Sequence, residues 1–109
     1  MSQFRVVIVD DDIKLVKLLR AYFEKEGWSV LTAYDGLKAL QMIRENRLDL
    51  VVLDIMLPGI DGWELCRRLK SSYQTSHIPI ILLTALSEQA EELHGIGLGA
   101  DDYLKKPFD

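Results

Sequence analysis

Acidic side chains end two runs of apolar residues: Asp10-Asp11 closes Phe4-Arg5-Val6-Val7-Ile8-Val9, and Asp54 closes Leu50-Val51-Val52-Leu53. Thr84 ends a third run, Ile78-Pro79-Ile80-Ile81-Leu82-Leu83, and Lys106 follows a shorter one at Tyr103-Leu104. Short apolar runs bounded by polar residues read as buried strands. A carboxylate at such a position is costly unless a cation or donor balances it, and three gathered in one crevice repel each other by several kcal/mol per pair. The pattern therefore asks for a cation. Oxygen-only donors select a hard ion, and Mg²⁺ fits because it accepts one or two carboxylates, keeps waters and shares its shell with phosphate oxygens.

Asp11 and Asp54 are the expected direct ligands, with Asp10 acting through water or by orienting the others. The backbone carbonyl of Met56, two residues beyond Asp54, can face the same crevice, and Asp12 is expected to open the first helix. Lys106 taken alone could simply neutralise the acids. With a cation on one side, Lys106 on the other and the Thr84 hydroxyl as donor, the pocket supplies contacts for the three oxygens of a phosphoryl group. Asp54 is then the natural attacking carboxylate, since acyl phosphate formation needs in-line placement and charge neutralisation more than proton chemistry.

Five strands alternating with helices must bring these residues together. Leu15, Leu18, Leu19 and Tyr22 recur at helical spacing and predict an amphipathic helix stopped by Gly27. Val30-Leu31-Thr32-Ala33 is the next strand. Asp35 caps a helix expected to bury Leu37, Leu40 and Ile43. After the strand ending at Asp54, Leu57-Pro58-Gly59-Ile60-Asp61-Gly62 is turn chemistry, and a third helix with Leu65 and Leu69 inward dissolves at Ser71-Ser72. A fourth helix runs from about Ser87 toward Gly95, and Asp102-Tyr103-Leu104-Lys105 forms the last strand. This alternation predicts βαβ units and a doubly wound α/β fold with a five-stranded parallel sheet, in which ligands bind beyond the carboxyl ends of the strands.

With 109 residues, 49% of them hydrophobic and 28% charged, the chain has the composition of one ordinary globular domain. It shows neither a secretory signal nor an apolar stretch of membrane-spanning length, so the expected location is cytoplasmic, away from any membrane. A net charge of −4 argues against direct nucleic-acid binding. The sequence ends at Asp109 just after the fifth strand, and the expectation is a domain, residues 1–109, shortened before its final helix. Cys66 is expected to pack as a small apolar side chain. Gly95-Ile96-Gly97-Leu98-Gly99-Ala100 fits a dinucleotide fingerprint only on paper, because it precedes a strand instead of following one. His77 and His94 lack the partners zinc requires, and Trp63, beside the turn, has packing and docking readings open to it.

Taken together, Val9-Asp10-Asp11-Asp12, Leu53-Asp54-Ile55-Met56-Leu57-Pro58-Gly59-Ile60-Asp61-Gly62, Leu83-Thr84-Ala85 and Gly99-Ala100-Asp101-Asp102-Tyr103-Leu104-Lys105-Lys106-Pro107-Phe108 resemble the response-regulator receiver domain over nearly the whole chain. The resemblance implies the flavodoxin-like strand order 2-1-3-4-5 and phosphotransfer onto Asp54 from a histidine kinase or phosphotransfer protein, with Mg²⁺ as cofactor. It implies that Lys106, beside the proline, is the functional lysine in preference to Lys105. It implies a switch in which Thr84 moves toward the phosphoryl group and Tyr103 turns inward. It implies a homodimer through the face of the fourth helix and fifth strand as one partner mode. The Lys-Pro-Phe-Asp ending and the run into Tyr103 look most like receivers joined to winged-helix transcription factors, which places the output, transcription, in a DNA-binding domain outside this chain. The implied role is a signalling switch that catalyses only its own phosphorylation and dephosphorylation. A phosphatase using an aspartyl-phosphate would usually carry a second Asp where Met56 stands, and an adaptor never phosphorylated would lack one of the Asp, Thr or Lys residues.

Overall fold

The computed structural model describes residues 3–85 and 101–106. Their elements follow in the order β1 (Arg5–Val9), α1 (Ile13–Lys25), β2 (Ser29–Ala33), α2 (Gly36–Glu45), β3 (Leu50–Asp54), α3 (Gly62–Ser71), β4 (Ile80–Ala85) and β5 (Asp102–Lys106). Every described strand pairing is parallel, as the alternation predicts, and the sheet order is β2-β1-β3-β4-β5, as the resemblance implies. The fourth helix expected from Ser87 to Gly95 and the residues after Lys106 lie outside the described residues.

Alternation along β1 sorts the molecule into layers. Val6 and Ile8 meet Val16 of α1 together with Val52 and Leu83 on one face. Val7 and Val9 meet Ala39, Leu40 and Ile43 of α2 and Leu65, Cys66 and Leu69 of α3 on the other. Strands covered on both faces must be apolar throughout, which is why β1 and β3 read as continuous hydrophobic runs and not as alternating ones. All three described helices open on an aspartate. The carboxylates of Asp12, Asp35 and Asp61 accept the N–H groups of Leu15, Lys38 and Glu64 at 3.2, 2.8 and 2.9 Å. These caps satisfy orphan donors and set where each helix leaves the sheet.

Two of the expected buried stripes are displaced. In α1, Leu18 and Tyr22 are 54% and 60% exposed, and the helix rests instead on Val16 flanked by Leu15, Leu19 and Phe23. Leu15 and Leu19 belong to both candidate stripes, so spacing could not separate them. Aromatic packing decides, with Phe23 meeting Trp28 edge-on at 5.3 Å and Trp28 leaning on Phe4 at the same distance. In α2, Leu37 is 60% exposed while Ala39, Leu40 and Ile43 are buried. The strand expected from Ile78 begins at Ile80, and Pro79, with no N–H for the ladder, contributes its carbonyl to Val51 N–H at 3.0 Å. β5 runs one residue further than expected, through Lys106.

Cys66 is fully buried on α3, and burial pushes its thiol up from 9.0 to about 11. Between those values the folded thiol stays protonated while the unfolded one ionises, so this group's stabilising contribution is whole below pH 9 and is lost as pH rises toward 11. Thiol reagents at neutral pH should label Cys66 only as fast as the chain unfolds, and prompt labelling of folded protein would contradict its placement. Chemical denaturation should separate the two leucines of α2. Leu40→Ala is expected to cost about 2–4 kcal/mol through the cavity it leaves, and Leu37→Ala no more than roughly 0.5.

Candidate functional site

Parallel pairing sends every strand's carboxyl end to one edge of the sheet, and the connections from β1 and β3 leave in opposite directions there. That divergence opens a crevice at the switch point of the strand order. Asp10 and Asp11 follow directly on β1, and Asp54 is the last residue of β3, the neighbouring strand. Carboxylate oxygens of the three lie within 4.8 Å of one another, with Asp10 and Asp54 buried and Asp11 exposed. At that separation the repulsion is on the order of 3 kcal/mol per pair for an effective dielectric of 20, less where Asp11 is screened by water.

Local hydrogen bonds hold Asp10. It has no solvent exposure, its N–H donates to Ala33 O at 3.1 Å and its carboxylate accepts Asp12 N–H at 3.0 Å. That bond ties the acidic corner to the cap of α1. Asp54 is held from the loop side. Ile55 N–H reaches Leu83 O at 3.3 Å, extending the β3–β4 ladder past Asp54, and Gly62 N–H closes the loop onto Ile55 O at 2.8 Å. Gly62 lies so close to the strand that a Cβ would strike the Asp54 carbonyl and come within 2.6 Å of the Ile55 Cα. The same loop leans on α2, where a Cβ on Gly36 would strike the Ile60 carbonyl.

Thr84 lies one residue past Leu83, the register partner of Asp54. It is 1% exposed, and its hydroxyl has no hydrogen-bond partner among the described residues. An unpaired buried hydroxyl costs about 1–3 kcal/mol, and a group kept that way at the lip of the crevice is suited to an incoming acceptor. Lys106 stands opposite Ala85 and Tyr103 opposite Leu82 in the β4–β5 register, and their side chains lie outside the description. Met56, Ile55, Leu57, Asp61 and Trp63 form an open groove of about 500 Å³ with Asp11. Met56 is 67% exposed there, and Trp63 packs against the main core while forming part of the groove. His77 is exposed and takes no part.

The sequence reading missed three contributors. Gly36 and Gly62 act as close-contact seats for the β3–α3 loop, and Asp61 both caps α3 and borders the groove. A signal for the last was present, since Asp61 stands three residues before Glu64 at the start of an apolar-periodic segment, a capping pattern. Close backbone approach leaves no such signature, because a glycine in a turn sequence looks the same whatever packs above it.

The model of the response regulator receiver domain matches residues 6–109. The chain belongs to that family. The receiver is 38% identical over 104 residues to the response regulator GtcR of Aneurinibacillus migulanus, covering 95% of this chain and 42% of that protein's length. Among solved structures, the receiver domain of Francisella response regulator 1452 is 36% identical with a TM-score of 0.89, covering 98% of this chain and 87% of that one. Chemotaxis response regulator CheY4 of Vibrio cholerae is 29% identical with a TM-score of 0.93, covering 99% and 90%. The domain is therefore a two-component signalling module with the flavodoxin-like fold, and its acidic cluster could hold a metal ion. No helix among the described residues is long and apolar enough to cross a membrane.

The donor set among the described residues fits a hard divalent cation: three carboxylates and no sulfur or imidazole. Mg²⁺ at ten times its Kd should stabilise the receiver by about 1.4 kcal/mol, roughly 6–10 °C in melting temperature for a domain of this size. Asp11→Asn should remove most of that rise and, in chelator, should melt higher than wild type because one repulsive charge is gone. An undiminished Mg²⁺ response in the variant would exclude Asp11 as a ligand.

Proposed function

We propose that residues 1–109 form the phosphoacceptor domain of a cytoplasmic response regulator that takes a phosphoryl group from a histidine kinase, or its relay partner, onto Asp54. The observation that carries this reading is the convergence of Asp10, Asp11 and Asp54 within 4.8 Å at the strand edge where Thr84 follows the register partner of Asp54, its buried hydroxyl without a partner among the described residues. Asp11 and Asp54, with the Met56 carbonyl, are the residues that would hold Mg²⁺, and Asp10 orients them. The ion's chemistry is neutralisation of the charge shared by phosphoryl and carboxylate oxygens.

An Asp54 carboxylate oxygen attacks phosphorus in line. The new P–O bond forms as the donor's P–N bond breaks, and the electron pair leaves with the imidazole nitrogen, which takes a proton from solvent. Lys106, at the end of β5, meets the phosphoryl group as an ammonium, and Thr84 donates its hydroxyl to a phosphoryl oxygen. The product adds roughly −1.5 to −2 charge beside Thr84. Thr84 and Tyr103, on adjacent strands, bias one face between two states. The 42% share of GtcR that the chain covers leaves room in such a protein for an output domain, and transcription through a DNA-binding domain is the output that fits the family. Pairing through the face of the fourth helix and β5 would transmit the change.

Incubation with acetyl phosphate and Mg²⁺ should add one hydroxylamine-labile phosphoryl group by intact mass, absent without Mg²⁺ and absent in Asp54→Asn. Lys106→Ala should impair the resulting conformational response and Lys105→Ala should leave it intact. A folded, Mg²⁺-binding chain that takes no phosphoryl group would favour a receiver-like adaptor, and steady turnover of a phosphomonoester would favour a phosphatase.

A further inference from the structure

β5 presents a problem of register. It is a strand of five residues at the edge of the sheet, and among the described residues it pairs with β4 alone. Asp102 and Leu104 are exposed, Leu104 by 40%, so burial of that face does little to specify the pairing. The strand ends in two lysines, and a slip of one residue toward the carboxyl edge would put Lys105 in the position opposite Ala85 that Lys106 now holds.

A polar lock sits at the other end of the strand. Asp101 N–H donates to Ile80 O at 3.0 Å, and the Asp101 carboxylate accepts Ile80 N–H at 2.8 Å, so the two residues exchange a pair of hydrogen bonds at the start of β4. Lys70, in the last turn of α3, brings its ammonium to the same carboxylate oxygen at 2.9 Å, with its side chain only 15% exposed. Its other contacts are the carbonyls of Ser76 at 3.2 Å and Ile78 at 2.8 Å. All three donors of the ammonium are thereby committed, binding α3, the α3–β4 loop and the foot of β5 at one point.

We propose that the Lys70–Asp101 lock is a register-determining device that selects Lys106, and not Lys105, for the phosphoryl site. This rests on the assignment of Lys106 proposed above. The slip that would promote Lys105 brings Ala100 to Lys70, and alanine has no carboxylate for the ammonium or for Ile80 N–H. The opposite slip offers Asp102 to Lys70 but places Pro107 opposite Ala85, where no N–H exists for the ladder. Only the observed register supplies both an acid at the foot of β5 and a lysine at its head. Lys70 and Asp101 act through another residue and are positioning groups.

The experiment is a two-readout comparison of the chain with its Lys70→Met variant. By NMR, the wild type should show cross-strand contacts for Leu82 with Tyr103 and Leu83 with Leu104. Lys70→Met should show doubled β5 resonances or contacts shifted by one residue. In acetyl phosphate assays Lys70→Met should be about tenfold slower, as misplacing a positioned group predicts. Lys105→Ala, silent alone, should slow the Lys70→Met protein further. Wild-type contacts together with an unchanged lysine dependence in folded Lys70→Met would overturn the proposal. If that variant fails to fold, Asp101→Asn, which keeps an acceptor for Ile80 N–H but loses the charge, bears the same two readouts. A wild type that takes no phosphoryl group would sink the assigned function, while the NMR contacts would still decide the register.

Discussion

Two carboxylates are held out of water at the carboxyl edge of a parallel sheet, within 4.8 Å of each other and of a third. A protein tolerates so repulsive an arrangement only if the surrounding fold is stable enough to impose it. Here apolar side chains on both faces of β1 and β3 make those strands the centre of the molecule. Neither strand can shift to relax the repulsion without giving up burial on two sides.

The loop after β3 shows how closely the site is tied to its supports. Gly62 lies against the Asp54 and Ile55 backbone, and Gly36 receives Ile60. Because each follows a parallel strand, the three helices start at the same edge of the sheet, and an aspartate caps each of them. The consequence is that the groove beside Asp11 is bordered largely by this loop and by the first turn of α3. Small changes in either would be felt at the carboxylates. At the opposite end of the sheet, a groove of about 380 Å³ involving Phe4, Arg5, Arg47 and Asp49 lies away from the acidic cluster.

The strands and the acidic cluster were legible because they depend on short apolar runs and on residue type at the strand ends, local properties that parallel topology converts into proximity, whereas the strand order came from the family resemblance. The helix faces were less legible. Leu18, Tyr22 and Leu37 have the spacing of buried residues yet stand in water, because a stripe at helical period admits a rotation of one residue whenever two of its members are shared. What resolves the rotation in α1 is the contact of Phe23 with Trp28, which begins from a different element. The Lys70–Asp101 pair joins residues of α3 and the approach to β5, and no local pattern announces an ion pair of such separation.

The order of residue types along the chain was enough to predict an α/β sheet with three acids and a hydroxyl at its carboxyl edge, and an acidic cluster that could hold a metal ion. Folding in three dimensions settled which faces of the helices are covered, that the Thr84 hydroxyl is enclosed without a partner among the described residues, and that a largely covered ammonium, that of Lys70, meets the foot of the edge strand. The division has a physical cause. Secondary structure and strand-end chemistry follow from short-range periodicity, whereas burial, close backbone approach and the satisfaction of polar groups depend on atoms distant in sequence that meet only when the layers close.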